Sequence, residues 1–160
     1  MQQKARAFAI SAHGNQKYGE RPYVFHLEAV AKLAEPYGDD ATVVAYLHDV
    51  VEDTKTTVEA IASMFGPHIA ACVALLTDAP GANRKERKAK TYAKLAEVSG
   101  PNELALLVKA ADRLANVRAC LADRKQSCGR CIACCLRVRL MRPLDRAFEV
   151  RECGGHGGWV

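Results

Sequence analysis

The stretch "AYLHDVVEDT", residues 45–54, places four ionisable side chains within six positions of an otherwise apolar segment. His48 and Asp49 come first, and Glu52 and Asp53 follow. Because side chains four residues apart lie on one face of a helix, a helical segment pairs His48 with Glu52 and Asp49 with Asp53. A cation between His48 and Asp49 could take one nitrogen and one oxygen ligand. The stretch predicts a helix that carries part of a metal site, and further ligands must come from elsewhere.

Two other segments offer such ligands. His26 begins an amphipathic helix in "RPYVFHLEAV", and Asp112 lies in the apolar helix of "LVKAADRLANVRA". A buried carboxylate is costly without a partner, which Lys109, Arg113 or a cation could supply. Each residue alone has an ordinary structural interpretation, such as a core histidine bonded to a carbonyl or an ion pair within one helix. Together, two histidines and two aspartates on helices that pack together favour a site for a divalent metal.

Composition and charge bound the class of protein. The 160 residues are 49% hydrophobic and 26% charged, which is typical of one globular domain with a real core. The N-terminal segment "MQQKARAFAISAHGNQ" is interrupted by Lys4, Arg6 and His13, so it resembles neither a signal peptide nor a membrane span. We therefore expect a cytoplasmic protein with no membrane partner. The net charge of +5 does not demand nucleic acid, and an anionic small molecule explains it equally well.

The composition changes near residue 126, which predicts a domain over 1–126 and an atypical tail over 127–160. The tail holds six arginines and no lysine, and it also holds five of the seven cysteines. Its "CGRCIACC" segment has a spacing that could ligate zinc or an iron–sulfur cluster. The favoured alternative is an out-of-frame or disordered segment that replaces the last helix of the fold.

Apolar residues recur at helical spacing upstream of the tail, and no strand alternation is evident. This pattern predicts an all-α fold. Thr56 or Thr57 and Asp39 or Asp40 fit as helix caps, and the basic segment "APGANRKERKAK" is interpreted as a loop that enters a solvated helix. The predicted helices span about 2–16, 26–36, 40–53, 57–65, 67–78, 84–98 and 102–121.

The ordered residues of these motifs resemble a known family. His26, His48-Asp49, Glu52-Asp53 and Asp112, with "GNQKYGERPYVFH" before them and "VKAADRLANVR" at the end, are similar to the HD-domain phosphohydrolases. The resemblance is strongest to the RelA/SpoT-type small alarmone hydrolases and covers about residues 4–121. It implies an all-helical HD-domain bundle with a central metal site, in which one Mn²⁺ is held by His26, His48, Asp49 and Asp112.

The same resemblance implies an activity, the hydrolysis of the 3′-pyrophosphate of guanosine tetra- and pentaphosphate. The ion would activate water and neutralise the departing pyrophosphate. Glu52 and Asp53 match the family's acidic pair and would act as general acid and base. Asn116 matches a ribose-contacting asparagine. The expected substrate-binding residues are Lys17, Tyr18, Lys109 and Asn116.

One departure from the family pattern leaves the substrate open. Lys17 and Tyr18 stand where relatives carry an Arg-Lys pair that packs on the base and meets phosphates, and the loop is one residue shorter. Tyrosine can still stack on a purine, so nucleotide binding is retained. The alternatives are a phosphohydrolase acting on another phosphorylated nucleotide, such as the 2′-phosphate of NADPH, and a catalytically impaired nucleotide-binding module. No phosphate-loop motif is present in the sequence, and we expect no synthetase activity. Formation of a homo-oligomer stays open.

Overall fold

The computed structural model describes residues 1–122, and this part of the chain is an all-α bundle, as predicted. Short 3₁₀ turns at Glu35–Tyr37 and Gly100–Glu103 connect some of the helices. The predicted domain boundary near residue 126 and the cysteine cluster lie outside the described residues. The helices are α1 (Gln2–His13), α2 (Val24–Ala34), α3 (Asp39–Leu47), α4 (Val50–Asp53), α5 (Val58–Phe65), α6 (Pro67–Leu76), α7 (Arg84–Ala96) and α8 (Leu104–Ala122).

The core lies where α2 and α3 pack against α8, with α1 against α3 and α6 against both α3 and α8. Its largest fully buried side chains include Leu27 on α2 and Leu47 on α3. Val108 on α8 is also fully buried. This packing brings the three segments that carry the candidate ligands to one place. No described helix has the length and apolar character needed to cross a bilayer.

The helix predicted over 40–53 is wrong as a single element, because it is interrupted after Leu47. The His48 Nδ1 bonds to the carbonyl oxygen of Ala45 at 2.8 Å, an acceptor that an unbroken helix would give to the N–H of Asp49. Asp49 has φ −105° and ψ −3°, which departs from helical values, and the short helix α4 begins after it. The backbone N–H of Asp53 still donates to the Asp49 carbonyl at 2.8 Å, so this pair keeps its one-turn spacing.

A β-hairpin with strands of two residues each precedes α2, in a segment where the sequence predicts no strand. Its strands β1 (Lys17–Tyr18) and β2 (Arg21–Pro22) pair antiparallel, with Lys17 opposite Pro22. Gly19 adopts a φ of +62° in the turn, a conformation that other residues rarely take. Strands of two residues are too short to show alternation, which explains why the pattern missed them.

The predicted caps are partly right. The Oγ1 of Thr57 accepts from the N–H of Ala60 at 3.3 Å and caps α5, as expected. At α3 the capping prediction is wrong, because Gly38 occupies the cap position and Asp39 and Asp40 lie in the first turn. There their negative charge still suits the helix N-terminus.

Candidate metal centre and active-site cavity

Four side chains from three segments converge at the centre of the bundle. His26 comes from the first turn of α2, His48 and Asp49 from the break between α3 and α4, and Asp112 from the middle of α8. His26 and His48 are only 3% and 1% exposed. The structure therefore brings together all four residues predicted as metal ligands.

The distances between their polar atoms suit one cation. His48 Nε2 lies 2.9 Å from Asp49 Oδ2 and 4.0 Å from Asp112 Oδ1. His26 Nε2 lies 3.9 Å from the same Asp49 oxygen and 3.5 Å from the same Asp112 oxygen. Ligands at about 2.1 Å from an ion are separated by about 3 Å when adjacent and by about 4 Å when opposite. His26, His48 and Asp49 offer ligand atoms within 4.8 Å of one another, which suits a single divalent ion, and Asp112 lies beside both imidazoles.

The hydrogen bonding of His48 tests this fit independently. Since a carbonyl can only accept, Nδ1 must carry the proton that it shares with Ala45, and this leaves Nε2 as a lone pair in the neutral ring. Nε2 is buried without a hydrogen-bond partner among the described residues. It faces the carboxylates of Asp49 and Asp112, which repel a lone pair unless a cation lies between them or the ring takes up a second proton. A metal-ligating histidine is held in this way.

In the metal-free protein, a proton on His48 balances the negative charges of the Asp49 and Asp112 carboxylates. Burial opposes an imidazolium at His48, but the Asp49 and Asp112 carboxylates outweigh it and raise the pKa of His48 to about 9. Burial also disfavours the carboxylate of Asp49, yet the facing His48 holds its pKa well below the usual range. For Asp112, burial is outweighed mainly by the hydrogen bond to His26, and its pKa falls to about 2. The centre therefore holds two anionic carboxylates that require a positive partner.

A second layer of side chains fixes the two carboxylates. The Tyr23 hydroxyl donates to Asp49 Oδ2 at 2.5 Å. Burial and the Asp49 carboxylate raise the pKa of Tyr23 far above its usual range, which keeps the phenol protonated as a donor. On the other side, the Asn116 amide donates to Asp112 Oδ1 at 2.5 Å, and Lys109 Nζ lies 3.6 Å from Asp112 Oδ2. Such contacts orient ligands and tune their affinity for metal.

Tyr18, predicted to stack on the base of the substrate, lies against His26 and Asn116. Its ring stacks on the candidate ligand His26, with centroids 4.7 Å apart and planes at 16°. Its hydroxyl donates to Asn116 Oδ1 at 2.6 Å. Lys17 is exposed on β1 and is not among the residues that line the cavity beside the metal ligands.

A polar cavity of about 180 Å³ is lined by three of the four candidate ligands, His26, Asp49 and Asp112. Glu52 and Asp53, which are exposed, lie at its edge, and Lys88, Lys109 and Arg113 add positive charge to its lining. A larger and more apolar cavity of about 470 Å³ adjoins it and shares Tyr18 and His26. We place the chemistry in the smaller cavity, because it holds the ionisable groups and the ligand atoms.

The two acids at this edge have different partners. Glu52 accepts from the backbone N–H of Asp78 at 3.2 Å, and burial together with the Asp78 carboxylate raises the pKa of Glu52. Asp53 Oδ2 accepts from the side-chain amide of Gln16 at 2.9 Å. Each acid is therefore held by a hydrogen bond from a separate segment.

Sequence reasoning missed Tyr23 and Lys88 as residues of the site. Tyr23 carries no helical or motif signal of its own, and only the packing of α2 reveals its bond to Asp49. Lys88 belongs to the basic segment that sequence analysis interprets as a solvated face. It instead lies in the cavity wall and pairs with Asp78 at 2.9 Å.

Comparisons with known proteins agree with this geometry. The signature of the HD domain family matches residues 5–134, and the chain belongs to that family. The guanosine-3′,5′-bis(diphosphate) 3′-pyrophosphohydrolase of Aquifex aeolicus (strain VF5) is 38% identical over 128 residues, which cover 78% of this chain and 18% of that protein.

Smaller relatives match over more of their own length. The guanosine-3′,5′-bis(diphosphate) 3′-pyrophosphohydrolase MESH1 of Danio rerio is 36% identical over 118 residues, or 69% of this chain and 64% of that protein. A solved structure, described as a metazoan ortholog of SpoT that hydrolyses ppGpp, has a TM-score of 0.67 and 30% identity. That comparison covers 76% of this chain and 70% of the other. The chain thus spans under a fifth of the long relative and about two thirds of the short ones.

Proposed function

We propose that this chain is a divalent-metal-dependent hydrolase that removes pyrophosphate from the 3′ position of guanosine tetra- or pentaphosphate, with Mn²⁺ as its metal. The observation that carries the proposal is the convergence of two imidazoles and two carboxylates beside a polar cavity that acids and cations also line. Relatives that bear the name of this activity support it. A soluble nucleotide substrate also agrees with the cytoplasmic location expected from the sequence.

His26, His48, Asp49 and Asp112 would hold the metal. When bound there, a divalent ion lowers the pKa of water and neutralises charge on the phosphates. The second-layer contacts from Tyr23, Asn116 and Lys109 keep the carboxylates in place. These residues supply a rigid, largely desolvated base for the cavity, in which electrostatic interactions are strong.

Glu52 and Asp53 are proposed to orient the attacking water and handle its proton. The raised pKa of Glu52 brings this carboxyl closer to the working pH, which favours proton exchange during turnover. Asp53 lies one turn beyond the ligand Asp49 and keeps one carboxylate oxygen fixed by Gln16. The pair is therefore suited to act on a water between them and the metal ligands.

Lys88, Lys109 and Arg113 are proposed to bind the phosphates. They line the same cavity as the acids, where their charges can balance a pyrophosphate group as it departs. A cavity of about 180 Å³ is small for a whole nucleotide, since ligand sites commonly exceed about 300 Å³. The adjoining apolar cavity, with Phe25 and Arg21 at its edge, is the proposed place for the nucleoside.

The position of Tyr18 favours one alternative, an HD phosphohydrolase acting on another phosphorylated nucleotide. Both the hydroxyl of Tyr18 and the amide oxygen of Asn116 are engaged in the same hydrogen bond. Tyr18 and Asn116, which were expected to contact the base and the ribose, thus bond to each other and contact the candidate ligands His26 and Asp112. These contacts support guanosine as the base less directly than free side chains would.

A substrate panel distinguishes these functions. The full chain is loaded with Mn²⁺, incubated separately with guanosine tetraphosphate and NADPH, and the products are resolved by anion-exchange chromatography. We expect GDP and pyrophosphate from the first and no reaction with the second. Inorganic phosphate from NADPH alone would favour the alternative substrate. Binding of both nucleotides without any product would indicate the impaired binding module.

A further inference from the structure

His13 is a buried titratable residue at the end of α1 that the proposed reaction does not use. It is 7% exposed, and its ring stacks on Tyr23 with centroids 4.4 Å apart and planes at 28°. Its Nδ1 lies 2.8 Å from the side-chain oxygen of Gln16. Its Nε2 is buried with no hydrogen-bond partner in the described part of the chain. Buried polar atoms are usually hydrogen-bonded, and the His13 imidazole has a partner at only one of its two nitrogens among the described residues.

The chemistry of the His13–Gln16 contact fixes the direction of both groups. An amide oxygen can only accept, so His13 must donate from Nδ1. Because the Gln16 amide oxygen bonds to His13, the amide NH₂ group points away from His13. That NH₂ donates to Asp53 Oδ2 at 2.9 Å, where a flipped amide would face the carboxylate with its own oxygen.

The backbone supports the same arrangement. The N–H of Gln16 donates to the His13 carbonyl at 3.0 Å, and the N–H of Tyr23 donates to the Gln16 carbonyl at 2.9 Å. Gly14 permits the turn between His13 and Gln16 with a φ of +53°. Gln16 is thus anchored through its main chain on both sides, while Asp53 is an exposed residue on a four-residue helix.

We propose that His13 and Gln16 form a positioning relay for Asp53, in which His13 sets the orientation of the Gln16 amide and Gln16 holds the carboxylate toward the cavity. The inference rests on the proposed function, because Asp53 is assigned there to the attacking water. The side-chain hydrogen bonds of His13 and Gln16 run to each other and to Asp53, and neither residue lines the polar cavity. They are positioning residues, and their loss should reduce turnover without removing the metal.

The first test compares two glutamines that make the same bond. Gln2 donates to Asp39 at 2.8 Å on the surface, as Gln16 donates to Asp53 at 2.9 Å. In the full chain with Mn²⁺ and guanosine tetraphosphate, Gln16→Leu should lower kcat about 10- to 100-fold, the usual scale for such supporting contacts. Gln2→Leu should leave kcat within about twofold, the change expected for a surface contact. Equal kcat values for the two variants would overturn the relay.

Two substitutions of His13 separate its hydrogen bond from its stacking. His13→Phe keeps a ring against Tyr23 but removes the donor, whereas His13→Asn offers an amide N–H near the position of Nδ1. The relay predicts that kcat falls with Phe and is largely rescued by Asn. A fall with Asn and not with Phe would assign the role of His13 to packing alone and contradict the relay.

The coupling to Asp53 is measured in a double-mutant cycle. In an Asp53→Asn background, Gln16→Leu should change kcat by less than about twofold, because the carboxylate that it positions is already absent. Calorimetric titration with Mn²⁺ alone should give affinities within about threefold of wild type for Gln16→Leu, since the four proposed ligands remain. Additive losses in the cycle, or loss of Mn²⁺ in parallel with kcat, would show that Gln16 does not act through Asp53.

A measurement without turnover separates this inference from the proposed function. The His13 Nδ1 proton should give a solvent-protected NMR resonance in the wild-type chain, and it should exchange freely in Gln16→Leu. A freely exchanging proton in the wild type would overturn the relay even if the chain hydrolyses guanosine tetraphosphate. A protected proton in a chain that leaves this nucleotide intact would retain the relay and reject the proposed activity.

Discussion

His48 is the residue whose chemistry depends most on its surroundings. Its Nδ1 is committed to a backbone carbonyl, and its Nε2 faces two carboxylates, so only a metal or a proton can balance that side. The same hydrogen bond also interrupts the helix, which turns Asp49 toward the ligand cluster. The His48 side chain therefore affects both the course of the backbone at Asp49 and the balance of charge in the site.

The affinity for Mn²⁺ should rise with pH, because binding must displace the proton of His48. The pKa of His48 is raised to about 9 in the metal-free protein, so the affinity should increase by up to about tenfold per pH unit between about pH 7 and pH 9. In the metal-free protein, the protonated His48 stabilises the folded state. This contribution is fully present below about pH 6.5, the pKa of histidine in the unfolded chain. This contribution is lost as the pH rises through about 9.

Calorimetry of the full chain between about pH 6.5 and about pH 8.5 measures this dependence, within the window between the unfolded and folded pKa of His48. His48→Ala provides the control, in which the remaining affinity should be much lower and less dependent on pH. A wild-type affinity that stays flat over this range would contradict the assignment of His48 as a ligand that is protonated without metal.

The acidic pair has its own test. Replacing Glu52 with Gln and Asp53 with Asn should slow turnover by about 10²- to 10⁴-fold, the scale of a lost general acid or base, with the metal still bound. If the two were only helix charges, stability would change by a few tenths of a kcal/mol and turnover would persist. Rate and Mn²⁺ content are measured on the same sample. A double variant with bound metal and normal turnover would show that the pair is structural.

The elements differ in how well sequence predicts them. Helix α5 begins and ends as predicted, because Thr57 caps it and Gly66 follows it, and both signals are local. The helix breaks at His48 because the buried imidazole bonds to the Ala45 carbonyl oxygen, which a helix would use for a backbone hydrogen bond. Hydrophobic periodicity carries no signal of such a side-chain bond. The candidate ligands could be named because few residue types bind metal. The supporting contacts of Tyr23 with Asp49 and of Gln16 with Asp53 could not, since they join residues 26 and 37 positions apart.

Gly66 separates α5 from α6 and provides a test at the scale of the element. It has φ +94° and ψ +160°, a region that is essentially restricted to glycine. A Cβ added there would meet no atom within 4 Å, so the cost of a substitution is conformational. Gly66→Ala should lower the free energy of unfolding by about 1–3 kcal/mol in denaturant titrations. Mn²⁺ affinity should not change, and an unchanged stability would contradict the backbone geometry at this junction.

At the scale of the whole molecule, the packing of α2 and α3 against α8 joins residues that lie far apart in the sequence. His26 and Asp112 are 86 positions apart, yet their ligand atoms lie 3.5 Å from each other. The N-terminal segment adds Gln16, Tyr18 and Tyr23 around this cluster, so the first part of the chain contributes to the site as well as to the core. The bundle thus builds one polar centre from most of its described length.

The most direct test is the release of pyrophosphate from guanosine tetraphosphate by the full chain before metal removal, after chelation, and after Mn²⁺ is restored. The account predicts GDP and pyrophosphate in equal amounts from the loaded protein. It also predicts a loss of at least about 100-fold in the metal-free protein and recovery on reloading. Undiminished release from protein that elemental analysis finds metal-free would contradict the account, as would a loaded protein that leaves the nucleotide intact.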